Sequence, residues 1–288
     1  MKIKLKFEKI CVHLCLSAVS ILFLTLPFAA QETKSLLKST TYKTENIDFG
    51  AGGTLTIVGA PAGSISVEGW QKNQIEISAD IEVQAETEAD LAELAKIDGF
   101  VIDNDFGHVR VLTVSTNDKD YLKRTAKKFP KRLLGMPFKI DYRIKVPAYC
   151  DLEIDGGRGD FNLSGVQGAM QIKFLESNAK LNLTGGNVIA TFGSGNVEIQ
   201  IPTRGWRGRS LDIQLASGNL NIYLQPNFSA DINAVILRTG KIENTIDSLK
   251  PRDRTTFSEK SIAARNGAGG AALSFTVGDG TLKMQNVK

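Results

Sequence analysis

The sequence predicts an all-β chain of short stacked strands, on three observations. Apolar and polar residues alternate from Thr54 onward, with Leu55 and Ile57, Ile65 and Val67, then Ile75, Ile77, Ile81 and Val83 on one side. Glycines at 50, 52, 53, 59, 63 and 69 break these runs, and period two broken by glycine is the pattern of strands joined by turns. In the second half a unit of the form glycine, any residue, apolar, any residue, apolar recurs. It starts at Gly159, Gly168, Gly186, Gly195, Gly218, Gly240 and Gly280, with Asn178 in the place of a glycine.

Early steps between units are 9, 10, 8 and 9 residues, and later ones are 23 and 22. One turn of chain therefore takes some 17 to 23 residues and carries two strands, as in VEIQI followed by LDIQL. A short strand with one apolar edge cannot bury it alone, whereas stacked turns line those edges into one core. This predicts a β-solenoid or β-helix-like repeat; an antiparallel β-sandwich of the same strands is the alternative. Glycine recurs where the chain bends tightly or needs positive φ. Asn follows it at 187, 196 and 219, where it tolerates turn geometry and can hydrogen-bond along a stack.

The chain has 288 residues, 42% hydrophobic and 23% charged, which is globular composition. Its formal charge of +4 is concentrated at the start. Residues 1–30 hold Lys2, Lys4, Lys6 and Lys9 against Glu8, leaving 31 basic and 30 acidic side chains beyond them. That balance excludes the broad basic field of many nucleic-acid binders. A lysine-rich start, an apolar run over 10–28 and small Ala29-Ala30 before polar Gln31 follow the order of a secretory signal peptide cut after Ala30. An uncleaved anchor is the other reading of the run. A lipoprotein is not, because the apolar stretch follows Cys15. Either way the remainder is exported, to the periplasm, the outer surface or the medium. With Cys150 as its lone cysteine and His108 as its lone histidine, that remainder forms no internal disulfide and no Cys/His zinc site.

Beyond the leader (1–30), the expected organisation is a flexible lead-in (31–46), an N-terminal β region (47–146) and the glycine-marked repeat (147–288). One short helix is expected in 87–97, TEADLAELAKI, from a Thr87 cap and the Leu91, Leu94 and Ala95 stripe. Residues 117–138 form a basic insertion with Lys119, Lys123, Arg124, Lys127, Lys128, Lys131 and Arg132. Tyr121, Thr125 and Phe129 recur every four residues, which permits an amphipathic turn or two before Pro130. Such a run is either a solvated arm or a contact for anionic lipid or polymer. Nucleic acid is not expected, because only Tyr121 and Phe129 are there to stack on bases.

A lysine-led leader, GSISVEGW at 63–70, a strand ending in Val146-Pro147 and the glycine-marked series together resemble the bacterial putative-adhesin family of β-strand-repeat domains, a family of unknown function. The resemblance spans about residues 45–288. It implies an exported all-β, solenoid-like protein at the cell envelope and brings no catalytic residues with it. The insertion at 117–138 and the Gly-Ala segment at 266–272 are less regular than the family pattern.

No enzyme motif appears. Ser-His chemistry could use only His108, which sits in the alternating FGHVRVLTV. There is no G-x-S-x-G elbow, phosphate loop or HExxH. Cys150 reads as a small buried apolar residue. Arg158-Gly159-Asp160 spells an attachment tripeptide, but Gly159 is already the first repeat glycine. Gly156-Gly157-Arg158-Gly159-Asp160 misses the calcium nonapeptide by one position. Acid–base cleavage of a glycan would need paired carboxylates, and the outward candidates Asp160, Glu198 and Asp212 are scattered. The reading is thus a non-catalytic envelope protein without cofactor or metal, acting by contact with a polymer or an envelope protein. A periplasmic structural or sensory module is the alternative, and a polysaccharide-acting β-helix enzyme the third.

Overall fold

The computed structural model describes residues 35–126, 128–252 and 254–287. The leader expected at 1–30 lies outside them. The chain is all-β, with strands β1 (Leu37–Asp48), β2 (Thr54–Val58), β3 (Ile65–Trp70), β4 (Gln74–Ala85), β5 (Gly99–Asp105), β6 (His108–Val114), β7 (Phe138–Pro147), β8 (Asp151–Arg158) and β9 (Phe161–Ser164). Then come β10 (Ala169–Asn182), β11 (Gly185–Ile201), β12 (Arg207–Leu224), β13 (Ala230–Ile236), β14 (Gly240–Asn244), β15 (Lys250–Pro251), β16 (Ser261–Asn266) and β17 (Ala272–Asn286). Helix α1 (Glu88–Leu94) precedes β5, and helix α2 (Lys119–Thr125) with a 3-10 turn (Lys131–Leu133) lies between β6 and β7.

The strands form two ladders. The first runs β5–β6–β2–β8–β10–β11–β12–β17–β13–β16–β15. The second runs β1–β4–β7–β3–β9–β10–β11–β12–β17–β14. Strands β10, β11, β12 and β17 pass through both. Central pairings are parallel, because the chain leaves one ladder, crosses the other and returns in the same direction. Antiparallel pairs close the ends: β5–β6, β13–β16 and β15–β16 in the first ladder, β1–β4 and β4–β7 in the second.

The bend between ladders carries the repeat. Alternation in β10 buries Met170, Ile172 and Phe174, then Ser177, Ala179 and Leu181, with Leu175 and Glu176 both outward. This one-residue phase change turns the inward side of both halves toward one core. Phe161, Phe174 and Phe192 stack through that core at centroid spacings of 4.8 and 6.1 Å. At the bend, Ser177 lies opposite Gly195, Gly195 opposite Gly218, and Gly218 opposite Gly280. Gly218 takes φ +135°, and a Cβ on it would lie 1.9 Å from the Gly195 carbonyl oxygen. At Gly195, Gly218 and Gly280 only glycine lets one bend sit this closely on the next.

Of the three asparagines expected to stack, Asn196 and Asn219 do so, just after the bend, and their ladder continues to Asn178. Asn219 donates to Asn196 (2.9 Å) and Asn196 to Asn178 (3.2 Å). Those pairs are separated by 23 and 18 residues, within the turn length read from the sequence. Asn187 stands outside this ladder and accepts from Ser210 Oγ.

Several expectations need correction. The part of the 31–46 lead-in that is described is not loose: Leu37–Asp48 is a strand paired along its whole length with β4. Its polar residues hid it, because one face is exposed throughout and the other is at most half-buried, so the sequence shows no apolar alternation. The helix in 87–97 forms as α1, capped by Thr87, whose hydroxyl accepts from Asp90 N. A second helix, α2, forms as well, in the insertion. The turns also do not stack in chain order. β2 lies between β6 and β8, so residues from 47–146 and 147–288 share one ladder. β17 lies between β12 and β14, so Gly280 and not Gly240 follows Gly218. β17 is continuous and matches β12 through the bend, whereas β13 and β14 are separate strands.

Gly218→Ala is expected to destabilise the fold by more than about 3 kcal/mol, since backbone must move to admit the methyl group. Gly107→Ala is the control. Gly107 has φ +72° but open space around it, and the expected cost is about 1–2 kcal/mol. Urea unfolding of both variants measures the difference, and equal costs would refute the bend argument.

Candidate functional site

The basic insertion leaves the stack between β6 and β7, near its antiparallel end. Three contacts fix its base. Asp98, 4% exposed, accepts from Thr116 N through Oδ1 (2.9 Å). Thr116 Oγ1 accepts from Gly135 N (3.2 Å), which closes the two ends of the insertion on each other. Arg132 pairs with Asp90 of α1. Within the insertion Asp118 caps α2 by accepting from Asp120 N and Tyr121 N. Lys123 and Arg124 in its last turn face the negative helix end. Leu122 and Leu133 are buried and Phe129 is partly buried against the core, so the arm is docked by its apolar side.

The cations divide into two sets. Lys123 pairs with Asp120 (3.1 Å), Arg124 donates to the Asp120 carbonyl (3.2 Å), and Arg132 is held by Asp90. Lys119, Lys128 and Lys131 are exposed and make no ion pair with any described residue. Lys127 lies outside the described residues. Leu134, 48% exposed, follows beside them.

The other sequence candidates are occupied or apart. His108 and Glu153 both bond to Thr56 Oγ1, at 2.8 and 2.9 Å. The hydroxyl proton goes to Glu153, so His108 donates its Nε2–H and has no free lone pair there. Cys150 is buried, its Sγ donates to the Asp151 carbonyl, and burial pushes the thiol up to about 12, which makes it inert. Gly159 sits at a bend with φ +149°, while Asp160 accepts from Asn178 at the end of the amide ladder (3.4 Å) and Arg158 pairs with Glu176 (3.5 Å). The attachment tripeptide is thus built into the stack. Asp212 belongs to the first ladder, Asp160 and Glu198 to the second, two strands apart. No acid–base pair forms among them. Among the described residues no cluster of His, Cys, Asp and Glu is arranged to hold a metal ion.

Sequence reasoning missed Asp98. A lone Asp before Gly99 reads as a turn, and only the fold shows that it is buried under the arm with Oδ2 lacking a described partner.

No protein-family model matches the chain, and no curated protein matches it. Among solved structures it is similar to a putative cell adhesion protein from Clostridium sporogenes, at 13% identity over 86% of this chain and 100% of that one, with a TM-score of 0.45. It is also similar to a putative adhesin from Bacteroides fragilis, at 11% identity over 86% and 98%, TM-score 0.25. A third is a putative lipid binding protein from Parabacteroides distasonis, at 12% identity over 86% and 97%, TM-score 0.29. None of these likenesses assigns the chain to a family.

Burial raises the Asp98 carboxyl to about 6, against a partial offset from the Thr116 amide. An acid raised on folding adds no cost below its unfolded value near 3.8, an increasing cost as pH rises to 6, and a constant one above. Asp98→Asn keeps the acceptor for Thr116 and removes the charge. Relative to the parent it should gain about 2 kcal/mol of stability between pH 4 and pH 7. Parallel denaturant titrations at the two pH values test this; a pH-independent difference would refute it.

Proposed function

We propose that this protein is an exported, non-catalytic contact module of the bacterial cell envelope, in which the strand stack holds the basic arm against an anionic surface. The observation that carries this reading is the division of cations within the arm. Arg132 ties the arm to Asp90 of α1 and Lys123 pairs with Asp120 inside the arm, whereas Lys119, Lys128 and Lys131 are exposed and unpaired among the described residues. The rest of the arm supports it. An amphipathic helix docked by Leu122 with cations on its open side can lie on a headgroup layer, and Leu134 adds an apolar contact. The leader pattern supports export.

Each lysine near an anionic bilayer contributes about 1 kcal/mol. The Lys119→Gln/Lys128→Gln/Lys131→Gln variant should therefore bind phosphatidylglycerol-containing vesicles about 100-fold more weakly than the parent. Neither protein should bind pure phosphatidylcholine, and added salt should weaken the parent's binding. Sedimentation with vesicles measures this, and unchanged affinity would overturn the reading. Location is tested separately: protease treatment of intact cells should cleave within 117–134. Protection until the outer membrane is broken would place the protein in the periplasm and remove adhesion between cells as its role.

A further inference from the structure

The outer side of the second ladder carries polar side chains in columns that cross the strands. In the first column Asp160, Asn178, Asn196 and Asn219 are bonded to one another. The next two columns differ. Asn162, Lys180 and Glu198 stand in register in one, and Ser164, Asn182 and Gln200 in the other. Apart from one bond from Gln200 to Glu198, these six side chains make no hydrogen bond with a described residue. They line a depression of about 270 Å³ across β9, β10 and β11. A second depression of about 220 Å³ continues across β3, β7 and β4. Six strands at their usual spacing make a trough about 24 Å long. Tyr223 of β12, opposite Gln200, adds a half-buried phenol ring where the column continues.

The chemistry of the lining selects its ligand. Lys180 faces Glu198, and the second depression sets Arg143 and Lys145 against Glu68 and Glu76, so the trough has no net charge of its own and gives no preference to an anion. The exposed side chains of the lining are polar or charged and offer no apolar recess to a peptide side chain or an acyl chain. Amides and hydroxyls both donate and accept, and Asn162, Ser164 and Asn182 on β9 and β10 are without a described partner, with Ser66 in register beside Asn162 on β3. A ligand that donates and accepts at short regular intervals, carries no charge and extends across several strands satisfies all of them. We infer that this trough binds a linear neutral oligosaccharide lying across the strands, with Tyr223 positioned to stack on a sugar ring. The site is separate from the basic arm, and neither reading depends on the other.

The test uses the purified chain and three probes: cellohexaose, chitohexaose and mannohexaose, titrated calorimetrically to millimolar ligand. At least one should bind saturably. Asn162→Val/Asn182→Val replaces two lining amides with residues that favour exposed strands, so the fold should persist. It should bind that probe about tenfold more weakly or worse, with melting temperature and binding to anionic vesicles unchanged. If the double variant does not fold, Ser164→Val is judged on the same terms. Absence of binding by all three probes, or equal affinity in parent and folded variant, would overturn the inference while leaving the arm reading intact. Loss of vesicle binding in the lysine variant with glycan binding retained would separate the two sites.

Discussion

The structure depends on how closely one bend can rest on the next. The four longest repeat strands, β10, β11, β12 and β17, cross from the first ladder to the second within a single run, and parallel pairing continues on both sides of the bend. This requires the bends themselves to stack at strand spacing. With Cβ atoms in the column, carbonyl oxygens of the neighbouring turn would be struck at 2.0 Å or less at Gly195, Gly218 and Gly280. The phase change that directs both halves to one core occurs at the same place. Ser177 is the exception that shows the cost. It occupies the column without positive φ, and its hydroxyl is buried without a described partner.

Once the bend fixes register, the remaining positions sort themselves. Inward residues fill the core, including Gly156, where a Cβ would strike the Phe174 ring at 2.2 Å. Residues just past the bend bond along the stack and are consumed by it, as Asp160 is. Farther outward positions have no structural duty, because backbone pairing already satisfies their strands. Their side chains are therefore free to be chosen for contact. The ends face the opposite problem, since a parallel ladder exposes its core there. Here α1 and the antiparallel β1–β4 pair cover one end, and the basic insertion emerges beside that cover.

Legibility in the sequence follows the same division. Alternation and the glycine unit are local, so the alternating strands, the two-strand turn and the Asn196–Asn219 part of the amide ladder could be read directly. Helix α1 was legible from the Thr87 cap. The order of turns was not, because nothing in the local sequence of β2 says that β6 and β8 will flank it, and nothing in β17 says that it will separate β12 from β14. Strand β1 was missed because Leu37–Asp48 is a polar edge without a buried face. The cations of the arm were legible as a cluster, but their division into paired and free was not. That depends on Asp90, distant in sequence from Arg132. The trough was invisible because Asn162 and Asn182 read as solvated strand positions until the register placed them in neighbouring columns.

Register also distinguishes the two proposed contact surfaces. Charge on a flat ladder tends to cancel, because opposite signs in neighbouring strands lower the energy of the face, as Lys180 opposite Glu198 and Arg143 beside Asp80 illustrate. A net positive patch is difficult to build on such a face. An insertion outside the ladder escapes this pairing, and 117–134 holds seven basic residues against two acidic ones. On the proposed reading, attraction to an anionic surface, which is long-ranged and salt-sensitive, therefore rests with the arm. The inferred recognition of an uncharged repeating partner, which needs fixed spacing and short-range hydrogen bonds, rests with the ladder. The two modes require different scaffolds, and the break between β6 and β7 is where the chain passes from one to the other.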